Sequence, residues 1–520
     1  MSSINRTDPP SAVHVLQEAR RKGVRLWAEN GSLRYQAPRG ALSAQELERL
    51  RLVRGQLIAL LEAGSEAPEE SASFFAHARE RDHAPLTLSQ LAHRNLYELG
   101  KRPAGRQIVT ATRIEGRLGI ELLEQSLREV VRRHAALRTL IVEREGTPVQ
   151  EISSSADVVL EIKDLAHLPP RAREPAVLKE IEDLVLEPID IASGPLFGVR
   201  LVRVGAREHV LVLAMEHIIS DGYSMKILLR DLWAAYSRAA RGLAFSLPPV
   251  PIQFADYAVM QERTLPLWLE KHGPHMREHL AGCGRLGFPS GDTAPLASKR
   301  GWSIVPFEID RELRSQLAEW SRQRRTTLAM SVFTAYVAVT LRWCEASEAV
   351  FQFQGDGRVD AKLEDTIGFL ASVLYLRMEL LESDSFATLL QRIVEEYCRA
   401  YDHLDHSYLE AQVPRPEVTR NTVFNWIPRA STLSLPELEG TEHALDCSLV
   451  QFPNPILKTL DRDNEPCVVF YDGGEQVNGA VYFPANRYAP DMMERFVASF
   501  LLFVRGLLRQ PERIDQMPLL

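Results

Sequence analysis

The sequence predicts a mixed α/β protein of two lobes, preceded by a small helix, hairpin and helix unit, and three observations carry that prediction. Strand-like and helix-like segments alternate from residue 74 to residue 520, the pattern of helices packed on sheets, with no internal repeat. A stretch rich in Gly, Pro and Ser, residues 283–301, divides that region into two parts of roughly 200 residues each. A second break at residues 63–73, small, acidic and proline-containing, closes off a first unit near residue 64. The expected organisation is a hairpin unit over 1–64, a linker over 65–82, a first lobe over 83–290 and a second over 291–520.

Composition narrows the classes of function. Of 520 residues, 45% are apolar and 25% charged, which sets aside a disordered, collagenous or wholly coiled-coil chain. Lys and Arg number 61 against 69 Asp and Glu, a net −8, so charge gives no case for a nucleic-acid binder or a polybasic membrane protein. Cys283, Cys344, Cys398, Cys447 and Cys467 are odd in number, widely spaced and without a Cys-x-x-Cys pair, so neither a disulfide framework nor a metal site is expected. Residues 1–10 are polar, and the most apolar run near the C-terminus, 496–504, is half of the roughly 18 residues that a spanning helix needs. The expectation is a cytoplasmic monomer whose partners include neither nucleic acid nor membrane.

In the first unit, Val13, Leu16 and Ala19 recur at helical spacing, and alternating segments at 24–28 and 33–37 flank Asn30-Gly31, a strong two-residue hairpin signal. Ser43 then reads as an N-cap, with Glu46 completing a capping box ahead of the stripe Leu47, Leu50, Val53, Leu57 and Leu61. Residues 1–64 hold ten basic and six acidic side chains, so this unit is positive while the rest of the chain is negative. Lys22, Arg25, Arg34 and Arg39 lie on or beside the hairpin, whose unpaired edges suit an extended acidic peptide; solvated surface charge is the plainer reading. Residues 13–62, with Gly23-Val24-Arg25-Leu26-Trp27 and Leu33-Arg34-Tyr35, resemble the hairpin docking domains at the N-termini of modular nonribosomal peptide and polyketide synthase subunits. That resemblance implies capture of a short acidic C-terminal tail on an upstream subunit.

The chemistry is expected at the end of an apolar run. Residues 210–215 read as a strand buried on both faces, followed by Glu216-His217-Ile218-Ile219-Ser220-Asp221-Gly222 and then a helix with Met225, Leu228, Leu229, Leu232, Trp233 and Tyr236 on one face. A histidine at such a strand end is rigid and partly desolvated, which suits an acid-base role near neutral pH. Asp221 is placed to pair with an arginine or cap the helix, and Gly222 is expected to turn the chain with positive φ. Taken alone, a structural histidine satisfied by a backbone carbonyl is the commoner outcome.

Residues 216–224 resemble the His-His-x-x-x-Asp-Gly signature of nonribosomal peptide synthetase condensation domains. Further motifs of that family follow in order: Pro85-Leu86-Thr87-Leu88-Ser89-Gln90, Arg133-His134, Gly194-Pro195-Leu196, Phe254-Ala255-Asp256-Tyr257, Gly357-Arg358, Ile367-Gly368-Phe369, His403-x-Asp405, Val423-Phe424-Asn425-Trp426 and Met517-Pro518-Leu519-Leu520. The resemblance implies two chloramphenicol-acetyltransferase-like lobes in a V-shaped pseudo-dimer, with the site midway along a tunnel. By the same resemblance, His217 takes or orients the proton of the attacking nucleophile, Asp221 pairs with Arg358 from the other lobe, and Asn425 lines the site. Glu216 stands where the family usually has its first histidine, and Ser372-Val373 where many members carry Asn-Thr.

The function so implied is transfer of an acyl chain from a carrier-protein thioester to a hydroxyl or amine. The acceptor is a small molecule or is itself carrier-bound. The chain binds no cofactor of its own; 4′-phosphopantetheine comes with the acyl or peptidyl carrier domain of the partner synthase subunit. Docking unit, linker and two lobes occupy all 520 residues, so action in trans is expected, an arrangement similar to that of chain-releasing condensation enzymes of polyketide synthases. An acyl-CoA-dependent acyltransferase and a non-catalytic scaffold of the same fold are the alternatives.

Overall fold

Local sequence signals account for the first unit. In the computed structural model, β1 (Arg25–Glu29) and β2 (Ser32–Gln36) pair antiparallel with Glu29 opposite Ser32, leaving the Asn30-Gly31 pair between them. Ser43 caps α1 (Ala44–Leu52): its hydroxyl accepts from the Glu46 amide while the Glu46 carboxylate accepts from the Ser43 amide, the expected capping box. Val15, Leu16, Ala19, Val24, Leu26, Leu50, Val53 and Leu57 are buried.

The structure describes residues 15, 16, 18, 19, 24–29, 32–36, 42–55, 57, 58, 81–98, 107–155, 157–283, 286–289, 302–358, 360–402, 422–428, 444–450, 465–509 and 513–520. Lys22, Arg39, His403, Asp405 and the side chain of Arg25 lie outside the described residues, as do the break at 63–73 and most of that at 283–301.

The first lobe runs through β3 (His83–Pro85), α2 (Leu88–Glu98), β4 (Gln107–Gly116), α3 (Ile120–Arg133), β5 (Thr139–Arg144), β6 (Thr147–Ile152) and β7 (Leu160–Asp164). It continues through α4 (Pro170–Leu186), β8 (Phe197–Arg203), β9 (Glu208–Glu216), α5 (Gly222–Ala240) and α6 (Phe254–Leu280). The second comprises β10 (Trp302–Ile309), α7 (Arg311–Gln323), α8 (Leu328–Trp343), β11 (Glu348–Gly355), β12 (Ser372–Glu379) and α9 (Phe386–Asp402). It ends with β13 (Val423–Pro428), β14 (Leu445–Leu449), β15 (Cys467–Asp472), β16 (Val477–Pro484) and α10 (Pro490–Arg509).

Strand order in the first-lobe sheet is β14-β4-β9-β8-β7, with β3-β6-β5 forming a smaller sheet beside it; the second-lobe sheet runs β10-β16-β15-β13-β11-β12. β9 sits inside its sheet and is buried on both faces because both alternate sets are apolar. Leu211, Leu213 and Met215 pack with Leu123, Leu127, Leu228 and Leu232 of α3 and α5, while Val210, Val212 and Ala214 pack with Val177, Ile181 and Val185 of α4. The strand is held from either side, so its C-terminal end is a fixed platform.

The position of β14 departs from a simple division into two sequential lobes. It leaves the second-lobe sequence and pairs antiparallel with β4 at the edge of the first-lobe sheet, from Leu445 opposite Gly116 to Leu449 opposite Thr112. The lobes are thereby tied by backbone hydrogen bonds. No described helix is long and apolar enough to cross a membrane.

Candidate active site

At the end of β9 the chain makes a single 3₁₀ turn, His217–Ile219, before entering α5. The turn is pinned on both flanks. The Glu216 amide donates to the Leu196 carbonyl at 2.8 Å, and the Ser220 hydroxyl donates to the Glu216 carbonyl at 2.9 Å. Nδ1 of His217 lies 2.8 Å from the Ser220 carbonyl oxygen. A carbonyl can only accept, so this contact places the ring proton on Nδ1 and the lone pair on Nε2. The ring is half-buried, and Phe369 from the second lobe lies against it with centroids 4.4 Å apart.

Asp221 does both jobs expected of it. As N-cap of α5, its Oδ1 accepts from the Ser224 amide at 2.7 Å and the Ser224 hydroxyl at 2.8 Å. Oδ2 accepts from the Leu370 and Ala371 amides at 3.1 and 2.9 Å, and the Arg358 guanidinium spans the carboxylate at 3.0 and 3.2 Å. Both side chains are 1% exposed. Arg358 also donates to the Asp356 and Thr366 carbonyls and lies 4.4 Å from the Tyr223 ring centroid. Gly357 makes the approach feasible: its φ is +65°, and a Cβ there would sit 1.6 Å from the Leu370 carbonyl oxygen.

Gly222 does not turn the chain with positive φ, contrary to expectation. It is the first residue of α5 and is absent from the left-handed region; the turn is made by extended Ser220 and Asp221, with φ of −154° and −138°. Gly222 is exposed, and a Cβ added to it meets no atom within 4 Å, so its surface faces open space one helical step from the histidine loop.

The other expected residues are spread more widely. Glu216 is fully buried, with Oε1 3.2 Å from Nε2 of His93. Ser372 opens β12 opposite Gly355, and its buried hydroxyl has no hydrogen-bond partner among the described residues. Asn425, half-buried on β13, falls level with Gln354 by the parallel register of Gln352 with Val423 and Phe353 with Phe424. It therefore stands near the strand end that leads to Arg358. Arg34 is exposed on β2. A surface cavity of about 440 Å³, lined by Glu115, Gly116, Arg207 and residues 444–446, lies at the opposite end of β9 from His217.

Sequence reasoning missed Ser220, His93 and the backbone amides of 370 and 371. Gln90 stands out in the sequence only as the last residue of a motif, yet its side-chain amide donates to the Ile218 carbonyl at 3.0 Å from α2. Its spacing from His93, one helical turn, was the available signal. Nearby, His134 donates to Asp231 at 2.7 Å, and Arg230 joins Asp231 to Asp365 of the second lobe. Burial pushes the His134 imidazole down from its ordinary value. Burial alone would raise the Asp231 carboxyl, but hydrogen bonds from His134 and Arg230 hold it down at about 2.

Comparison with known proteins settles the family. Residues 80–428 match the condensation domain, and residues 13–62 match the TubC N-terminal docking domain. The chain belongs to the condensation-domain family. A probable non-canonical nonribosomal peptide synthetase of Salinispora arenicola, CymA, is 28% identical over 446 residues, which cover 82% of this chain and 6% of that protein. Chondramide synthase of Chondromyces crocatus is 28% identical over 336 residues, covering 64% of this chain and 9% of that protein. The chain thus spans less than a tenth of the length of these relatives.

Among solved structures, the X-domain in complex with OxyB from teicoplanin biosynthesis superposes with a TM-score of 0.71 at 23% identity, covering 88% of this chain and 99% of that one. The EpoB cyclization-docking bidomain from Sorangium cellulosum gives 0.66 at 21%, covering 96% and 98%. At these identities the likeness is one of fold, and it is the two-lobed chloramphenicol-acetyltransferase-like fold expected of a condensation domain.

Proposed function

We propose that this condensation domain transfers an acyl chain from the phosphopantetheine thioester of a separate carrier domain to a hydroxyl or amine, releasing or extending the chain as an ester or amide. The observation that carries the reading is the Nδ1 contact of His217 with the Ser220 carbonyl, which puts the ring proton on Nδ1 and leaves Nε2 as the basic nitrogen of a half-buried ring at the end of β9. Nε2 takes the proton of the acceptor as its oxygen or nitrogen attacks the thioester carbonyl. Collapse of the tetrahedral intermediate breaks the C–S bond, and the departing thiolate recovers the proton. General-base help of this kind is worth about 10²- to 10⁴-fold, and holding both partners at the site supplies several kcal/mol more.

The docking unit supports recruitment of that carrier through an acidic tail on its own subunit. The test is acyl offloading from the cognate carrier, followed by intact-protein mass spectrometry, with a panel of amines and alcohols. Wild type should strip the acyl group and form one new ester or amide, and His217→Ala should lose about 10²-fold or more in rate with unchanged thermal stability. Undiminished turnover in His217→Ala refutes the base assignment. Equal turnover with acyl-CoA favours a soluble-thioester acyltransferase, and no product with any acceptor favours a non-catalytic scaffold.

A further inference from the structure

The residue before the base is a glutamate, and its side chain is turned inward. Glu216 is 0% and His93 3% exposed, and their 3.2 Å contact joins α2 to the end of β9. A carboxylate removed from water costs several kcal/mol unless a donor meets it. His93 is that donor here, and its own ring is not remote from the chemistry. Its centroid lies 5.6 Å from that of His217 and 5.7 Å from that of Phe369, so the three rings form one group.

One turn earlier on α2, Gln90 donates to the Ile218 carbonyl. Two side chains of a single helix therefore grip the chain on either side of His217, one at residue 216 and one at residue 218. Ser220 closes the turn from the front by bonding the Glu216 carbonyl with its hydroxyl and the His217 ring with its carbonyl. Any shift of Glu216 is passed directly to the atom that orients the imidazole.

We propose that the Glu216–His93 pair is a positioning device for His217, fixing the ring's rotation and tautomer from behind. The proposal rests on the reading of His217 as the acyl-transfer base. In this chain the work of holding the base falls to a carboxylate and an imidazole from two different elements. A displacement of about 1 Å at a base costs as much as 10²-fold, so the pair is expected to act on kcat and leave KM alone.

The experiment separates positioning from packing. His93→Leu and Glu216→Leu, made singly in the full chain, each strand a buried polar partner and should lower both the denaturation midpoint and kcat. The double variant removes both polar groups while keeping volume, so its midpoint should return to near wild type. Its kcat should stay at least tenfold down with KM within twofold, and His93→Gln, which keeps a donor toward Glu216, should recover most of the rate.

Return of kcat together with stability in the double variant overturns the proposal. Histidine-ring ¹⁵N and ¹³C resonances, assigned by comparison with His217→Ala, give a readout independent of turnover. His217 should hold the Nδ1–H tautomer in wild type and mix tautomers in the double variant. An unchanged tautomer also overturns the proposal. Absence of acyl transfer in wild type, with the tautomer change present, sinks the catalytic reading while leaving the positioning intact.

Discussion

Removing the Asp221 carboxylate tests whether this residue acts through structure or through chemistry. Asp221→Ala deletes the N-cap of α5, worth about 1 kcal/mol. It leaves the Leu370 and Ala371 amides without their acceptor, at about 1 to 3 kcal/mol each. It also strands Arg358, 1% exposed, and breaking a buried pair from one side costs about 3 to 5 kcal/mol. Even the lower ends together exceed about 5 kcal/mol, comparable to the whole stability of many domains. Asp221→Asn keeps one acceptor oxygen, enough for the Ser224 amide or for the amides of 370 and 371 but not for both, so it should be destabilising yet cost less than Asp221→Ala. The assay is chemical denaturation of both variants with soluble yield as a companion measure, and the expected order of midpoints is wild type, Asp221→Asn, Asp221→Ala. An Asp221→Ala protein with a wild-type midpoint and no activity would refute the reasoning, because the carboxylate would then be acting on the reacting groups.

Two further outcomes follow from charges away from the loop. Reversing the hairpin charges, Arg25→Glu with Arg34→Glu, should cut transfer from a carrier bearing its native acidic tail at least about tenfold while leaving transfer from a tail-less carrier unchanged; equal loss from both carriers contradicts a docking role. The His134–Asp231 cluster predicts acid sensitivity with a definite sign. The unfolded chain protonates His134 near 6.5 while burial keeps the folded ring neutral, so stability declines as pH falls below 6.5. Asp231, lowered from 3.8 to about 2, contributes fully above 3.8 and loses its contribution as pH falls toward about 2. Urea midpoints measured from pH 7 to pH 2 should show both limbs, and Asp231→Asn should flatten the lower one.

Much of this was legible in the sequence because the signals were local. The run at 210–215 has apolar residues on both alternating faces, and that alone demands a strand covered twice. Ser43 and Glu46 are three residues apart, which is all a capping box requires. What stayed hidden depends on chain crossings that no local pattern encodes. Residues 445–449 alternate like any edge strand, and nothing in Leu-Asp-Cys-Ser-Leu says that the sheet it joins belongs to the other lobe. His93 on α2 looks like any lone histidine of an amphipathic helix until β9 brings Glu216 against it. Gly222 misleads for a related reason: the two residues before it are extended enough to turn the chain, and neither its φ nor a close neighbour requires a glycine there.

The loop that carries His217 belongs to one lobe and is held by both. His217 belongs to the first-lobe loop, but the Asp221 carboxylate that ends this loop is fixed by Arg358 and the 370–371 amides, all from the second-lobe chain between β11 and β12. The same segment supplies Phe369 to the imidazole face, and Ser224 bonds both Asp221 and the backbone of Gly368. Gly368 itself can lie there only because it lacks a Cβ, which would meet the Phe254 ring at 2.3 Å. Without the second lobe the Asp221 carboxylate would lose Arg358 and the amides of 370 and 371, and the His217 ring would lose Phe369. The loop is thus held at two ends, at Glu216 and Ile218 from within the first lobe and at Asp221 by the buried pair with Arg358 across the lobe interface.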